Sequence, residues 1–232
     1  MKIGVMGDIH GNHLALEAVL KSAKNLGVQK LLITGELVGY YFRPKLDLEL
    51  LEPWDCLIVK GNHELMLSKV LNNVSLLSEM ESSYGSGLRV ALEELTVLQK
   101  DWLINLPHPL KLRIDDNLIL LCHGSPFSLE EYVYPNTDEL SLKKMALTGY
   151  RWIIMGHTHY PMEKKYKKTS LLNPGSVGQP RNRRHEAHWS LLDTVSEEVN
   201  FHIESYDFQF IVNESKLRHP EIPYLWEVFL RR

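Results

Sequence analysis

The chain has 232 residues, 44% apolar and 24% charged, with a net charge of −3, the make-up of a soluble globular protein. That balance argues against a dedicated nucleic-acid binder, which is usually strongly basic, but leaves room for a small anionic substrate, for which a few focused cations suffice. No apolar run approaches a membrane span, and MKIGVMGD turns polar too soon for a signal peptide, so a cytoplasmic protein of one domain, residues 1–232, is expected.

Lys2–Met6 is a short apolar run that reads as a buried strand. Leu14, Ala18, Val19 and Ala23 come next at helical spacing, with Gly27 suited to the position past the helix end. Residues 30–34 and 56–60 read as strands, with a short helix over 45–52 between them. This order predicts a parallel or mixed sheet with helices packed on it. Residues 65–104 are rich in Leu, Ser and Glu and predict a helical cover, with Val90, Leu95, Leu98 and Trp102 forming one stripe. Strands resume at Leu110–Ile114 and 118–122, joined by the turn Asp115-Asp116-Asn117. A helix over 138–147, a strand over 152–155, a mostly antiparallel series (164–166, 171–173, 189–192, 199–205) and a helical tail from about Gln209 complete the reading. Cys56 and Cys122 lie in apolar runs and read as reduced, buried thiols.

The residues just past each strand are more informative. The first strand runs into Gly7-Asp8-Ile9-His10-Gly11-Asn12, the second into Gly35-Glu36, the third into Gly61-Asn62-His63-Glu64. Later strands run into His123-Gly124-Ser125 and Gly156-His157-Thr158-His159. Ligands of open α/β sheets bind beyond the carboxyl ends of the strands, so five distant clusters are expected to converge on one place. Imidazoles mixed with carboxylates and an amide oxygen suit borderline divalent ions such as Zn, Mn, Fe or Ni. The set is too large for one tetrahedral site and fits two ions sharing a carboxylate. Such a pair clamps the oxygens of an in-line displacement at phosphorus and supplies hydroxide near neutral pH. His108, His185, His188, His202 and His219 lack this placement and read as ordinary histidines.

From GDIHGN through GELVGY, GNHE, HGSP and GHTH to NPGSVGQPR, the sequence resembles the calcineurin-like metallophosphoesterases, in particular their small bacterial and archaeal phosphodiesterase branch. The resemblance implies a four-layer α/β/β/α sandwich of two mixed sheets and a two-metal hydrolase, with manganese the first choice of ion. It implies that Asp8, His10 and His159 hold one ion, that Asn62, His123 and His157 hold the other, and that residue 36 bridges them. His63 would serve as a general acid or as a donor orienting the phosphate. The family pattern has Asp at the bridging position, where this chain has Glu36. The added methylene displaces the carboxylate by about 1.5 Å, against a metal–ligand tolerance of about 0.2 Å.

The Gly- and Pro-rich loop Asn173-Pro174-Gly175-Ser176-Val177-Gly178-Gln179-Pro180-Arg181 suits a guanidinium grip on phosphate by Arg181, and Asn12 is a second candidate contact. Tyr40, Tyr41 and Phe42, and Tyr132 with Tyr134, are stacking surfaces for a nucleobase or else packing residues. Lys164, Lys165, Lys167 and Lys168 read as a solvated hairpin. The expected activity is hydrolysis of a small phosphate mono- or diester or a nucleotide polyphosphate. A protein phosphatase fits less well, because those relatives continue the second motif as GDxVDRG, whereas this chain continues it with Gly39-Tyr40-Tyr41. The alternative, which Glu36 alone favours, is a scaffold of the same fold with a degenerate metal site, as in a eukaryotic membrane-trafficking coat subunit.

Overall fold

In a computed structural model, which describes residues 1–182 and 185–231, three strands and two helices alternate at the start of the chain. β1 (Lys2–Met6), β2 (Lys30–Ile33) and β3 (Cys56–Ile58) run parallel, connected by α1 (His13–Asn25) and α2 (Pro44–Leu51). β3 stops short of the expected end at residue 60, because the Lys60 amide turns away to donate to the Pro107 carbonyl (2.9 Å). The helical cover consists of α3 (Asn62–Asn72), a single 3₁₀ turn, α4 (Leu77–Tyr84), α5 (Gly87–Glu94) and α6 (Val97–Ile104).

The expected stripe over Val90 to Trp102 is broken in two. Thr96 caps α6, accepting from the Gln99 amide (3.2 Å) while Gln99 Oε1 accepts from the Thr96 amide (2.9 Å). Leu98 is thereby turned outward, 81% exposed.

A second sheet is built from β4 (Leu110–Ile114), β5 (Asn117–Leu121), β6 (Trp152–Ile154), β7 (Met162–Tyr166) and β8 (Thr169–Asn173), with α7 (Glu139–Ala146) between β5 and β6. β9 (Ala187–Asp193) and β10 (Glu198–Glu204) return to the first sheet, before a helical hairpin of α8 (Phe208–Arg218) and α9 (Tyr224–Leu230). The strand orders are β10-β9-β1-β2-β3 and β4-β5-β6-β8-β7. In each sheet a parallel trio carries antiparallel neighbours.

The apolar runs are continuous because both faces of the central strands are covered. Alternate residues Ile3, Val5, Leu32, Ile119, Leu121, Trp152, Ile154 and Leu172 fill the space between the two sheets. Their neighbours Met6, Leu31, Ile33 and Trp189 face α1, α3 and α5 on one outside. Leu120, Cys122, Ile153 and Met155 meet Leu142 and Met145 of α7 on the other. The result is the four-layer α/β/β/α sandwich. It brings the carboxyl ends of β1, β2, β3, β5 and β6 to one rim. Cys122 is buried as expected, whereas Cys56 is only partly so. Among the described residues no helix is long and apolar enough to cross a membrane.

Asp47 in α2 is fully buried and neither of its carboxylate oxygens accepts a well-formed hydrogen bond. Burial pushes its carboxyl well above the ordinary range, and the Gly11 amide offsets this only in part. An acid with a raised folded pKa carries no ionisation penalty below its unfolded value near 4, and the penalty grows from there until it is complete above the folded value. Asp47→Asn should therefore melt higher than the parent at pH 8 and lose that advantage near pH 4. An unpaired buried group costs about 1–3 kcal/mol, and each kcal/mol moves the midpoint by about 2–4 °C in a domain of this size. Calorimetry at the two pH values checks this, and an equal shift at both would refute it.

Candidate metal centre

The rim loops are tied to one another before any ligand is considered. Asp8 donates its amide to the Gly35 carbonyl (3.1 Å), and Ile9 and His10 both donate to the Glu36 carbonyl (2.9 and 2.8 Å). Across the two sheets, the Gly178 amide donates to the Asp8 carbonyl (2.9 Å) and His123 Nδ1 to the Thr34 carbonyl (2.7 Å). Asp8, His10, Glu36, His157 and His159 all sit at positive φ, between 52° and 66°. Side chains seldom adopt this region, and such strain gathers at functional sites. Here it bends each chain segment sharply at the end of its strand and turns five side chains inward.

Two groups of buried ligand atoms result, Asp8, His10, Glu36 and His159 in one and Glu36, His123 and His157 in the other. Glu36 belongs to both. Its Oε2 lies 2.9 Å from His10 Nε2 and 3.8 Å from His159 Nε2, while its Oε1 lies 3.6 Å from His123 Nε2. Asn62 Oδ1 and His157 Nδ1 approach His123 Nε2 at 2.9 and 3.0 Å, which brings Asn62 to the second group.

This donor set fits cations. His10, His123 and His159 each point Nδ1 at a backbone carbonyl, of Val38 (3.2 Å), Thr34 (2.7 Å) and Gln179 (2.6 Å). That bond fixes the tautomer and leaves the Nε2 lone pair facing inward, the arrangement of metal-ligating histidines. The lone pairs then face one another, His10 Nε2 and His159 Nε2 being 3.3 Å apart. Burial holds His123 down at about 3 and His159 well below its ordinary value, so protons do not relieve the opposition. Burial and then the Glu36 charge push Asp8 well above the carboxylate range, and its Oδ2 has no partner. Burial would raise Glu36 too, and only positive charge on His63, His10 and His123 brings its carboxyl below normal. Neutral imidazoles around close, buried carboxylates call for positive charge.

The extra methylene of Glu36 has a definite place. Glu36 Cγ would be only 2.6 Å from a Cβ at residue 61, so glycine there opens the space it fills. A residue that sequence reasoning left without a role holds this turn. Glu64 Oε1 accepts the Leu37 amide (2.8 Å), and Oε2 accepts those of Glu36 (3.0 Å) and Gly61 (2.8 Å). Burial and then Glu36 raise its carboxyl to about 7. The signal was legible as a carboxylate three residues after a glycine at a helix start, the capping-box spacing.

His63 packs beside the ligands, its ring centroid 4.9 Å from that of His10. Gly39, at φ 92°, lies so close to His63 Nδ1 that a Cβ would be 2.0 Å away. Asn12 is corrected. It is fully buried, its Nδ2 donates to the Gly178 carbonyl (2.9 Å) and the Tyr206 hydroxyl (3.1 Å), and its Oδ1 accepts the Ala15 amide (3.3 Å) to cap α1. No polar atom of Asn12 is left for a substrate. Tyr40, Tyr41 and Phe42 are likewise packing residues, buried against α8 and α9. Tyr132 is 52% exposed and its ring stacks on that of His157 at 4.0 Å, at the edge of the site. Arg181 overlooks the centre, since its charge acts on Asp8, His157 and His159.

The chain has relatives among known proteins. An uncharacterized protein of Methanocaldococcus jannaschii is 30% identical over 232 aligned positions, covering 89% of this chain and 88% of the relative. A crystal structure of a hypothetical protein from Pyrococcus horikoshii matches with a TM-score of 0.83 at 21% identity, covering 98% of this chain and 97% of that one. A metallophosphoesterase from Sphaerobacter thermophilus matches with a TM-score of 0.75 at 23% identity, covering 98% of both. Residues 1–197 match the family model described as the calcineurin-like phosphoesterase superfamily domain, and the chain belongs to that superfamily.

Proposed function

We propose that the chain is a hydrolase of small phosphate mono- or diesters or nucleotide polyphosphates that works with two divalent ions. The observation that carries this reading is the division of the Glu36 carboxylate, Oε2 toward His10 and His159 and Oε1 toward His123. Asp8, His10 and His159 would hold one ion, Asn62, His123 and His157 the other, with Glu36 between them. Manganese suits the mixed oxygen and nitrogen donors, as do Fe, Zn and Ni. When bound, such a pair supplies Lewis acidity at the phosphoryl oxygens and hydroxide near neutral pH.

The chain's own groups do the rest. In the net reaction the oxygen of water joins phosphorus, the ester P–O bond breaks, and the departing oxygen keeps the bonding pair and gains a proton. Arg181 draws the anion in and orients it. Burial holds His63 down at about 4, so near pH 7 the ring is neutral. Its Nδ1 has no partner, so the tautomer that best fits carries the proton on Nε2 and leaves Nδ1 a bare acceptor. His63 is thus a donor that steadies the departing oxygen or the phosphoryl group, in preference to a cationic acid. The scaffold alternative drew on Glu36 alone, and the reach of that side chain toward both ligand groups speaks against it.

Purified protein should hydrolyse p-nitrophenyl phosphate or its bis ester. Exhaustive chelation should abolish turnover and Mn²⁺ should restore it. Full activity in protein shown by elemental analysis to be metal-free would refute the reading.

A further inference from the structure

Beside the metal centre lies a cavity of about 440 Å³ lined by Tyr160, Arg181, Asn182 and Arg231, within the range of small-molecule pockets. It brings together the loop after β8 and the end of α9, segments distant in sequence. Arg181 forms the wall shared with the metal centre. Its Nη2 donates to the Tyr40 hydroxyl (3.3 Å) and to Gln179 Oε1 (3.2 Å), and its buried Nε has no partner. Arg231 lines the same cavity. Both guanidiniums lie near one ring, Arg181 at 6.0 Å and Arg231 at 5.5 Å from the Tyr224 centroid.

Neither arginine forms an ion pair with a carboxylate among the described residues, although the surface elsewhere pairs Arg43, Arg89, Arg151 and Arg218 with glutamates. Two like charges lining one cavity, with the Arg181 Nε donor unspent, favour an anion in it. The ring they share holds the guanidinium planes without neutralising them. We infer that this cavity is a second phosphate subsite, so that the preferred substrates carry a further phosphate next to the one at the metals, as in organic diphosphates and polyphosphates. The inference rests on the phosphoesterase reading for its first phosphate position.

The test uses inhibition of p-nitrophenyl phosphate hydrolysis by inorganic phosphate and by tripolyphosphate, with free Mn²⁺ held constant by a metal buffer. The quantity read is the ratio of the two inhibition constants. In the parent, tripolyphosphate should bind more tightly, and Arg231→Gln should shrink the ratio by about tenfold, the worth of one charge-assisted contact. Arg231→Lys, which keeps the charge but loses the fork, should fall between. An unchanged ratio in Arg231→Gln overturns the subsite and leaves hydrolysis standing. If the metal-loaded parent hydrolyses no ester at all, the phosphoesterase reading fails. Calorimetric titration of tripolyphosphate into parent and Arg231→Gln then decides the pocket, and equal affinities overturn it.

Discussion

Glu36→Gln should retain at most one firmly held ion per chain and lose most activity, while Glu36→Asp should stay active. A neutral amide cannot replace one negative charge shared by two cations. The amide also presents an N–H₂ to one of the imidazole lone pairs that the carboxylate now faces, His10 Nε2 on one side or His123 Nε2 on the other. Even partners outside the coordination sphere cost about 10–100-fold in metal affinity or activity when removed, so a bridging ligand should cost at least that much. Glu36→Asp keeps the charge and vacates the space over Gly61 that Cγ fills. The backbone is already bent to φ 61° at this position, which brings a shorter carboxylate inward as well. Elemental analysis of metal per chain, paired with kcat/KM on p-nitrophenyl phosphate, measures both effects. Two ions held as tightly in Glu36→Gln as in the parent would overturn the bridge.

His63→Ala should lower kcat by about 10²–10⁴-fold, the range for a positioned proton-transfer or donor group, with metal content largely kept. The ring is held from three sides, by His10 (4.9 Å), Tyr40 (4.8 Å) and Tyr84 (5.3 Å). It is therefore pre-oriented, and its loss removes a fixed donor instead of a mobile one. Because burial keeps it neutral, raising the pH from 6 to 8 should not deprotonate it, and the parent-to-variant ratio of kcat should stay flat across that span. A ratio that collapses as pH rises would restore the cationic general acid. An emptied metal site would make His63 a ligand.

The candidate centre was legible in the sequence because each candidate ligand comes just after a short buried strand, and the parallel pairing of those strands sends their ends to one rim. Spacing did not show how strongly the ligands depend on one another. The Nδ1 contacts of His10, His123 and His159 go to backbone carbonyls, which carry no side-chain signature. Asn12 escaped for a related reason. Its position after a ligand loop is also the position before a helix, and the cap took the side chain. The break between α5 and α6 was hidden because Val90, Leu95 and Trp102 satisfy helical spacing whether or not the axis is continuous, and the Thr96 cap decides the matter. Glu64 stands in plain view within GNHE, yet its role needs three amides from two loops.

The hairpin of α8 and α9 lies beyond the residues matched by the family model, yet it is wired into the rim. The Tyr41 hydroxyl donates to the Leu225 carbonyl (3.1 Å), and Gln179 Nε2 donates to that hydroxyl (3.1 Å). Gln179 in turn supports Arg181 and, through its carbonyl, His159. Motifs that define kinship and the segment that shapes the mouth of the site are thus inherited through separate stretches of chain. A change in this last hairpin would leave every metal-binding signature untouched and still reach Gln179, Arg181 and His159 through Tyr41.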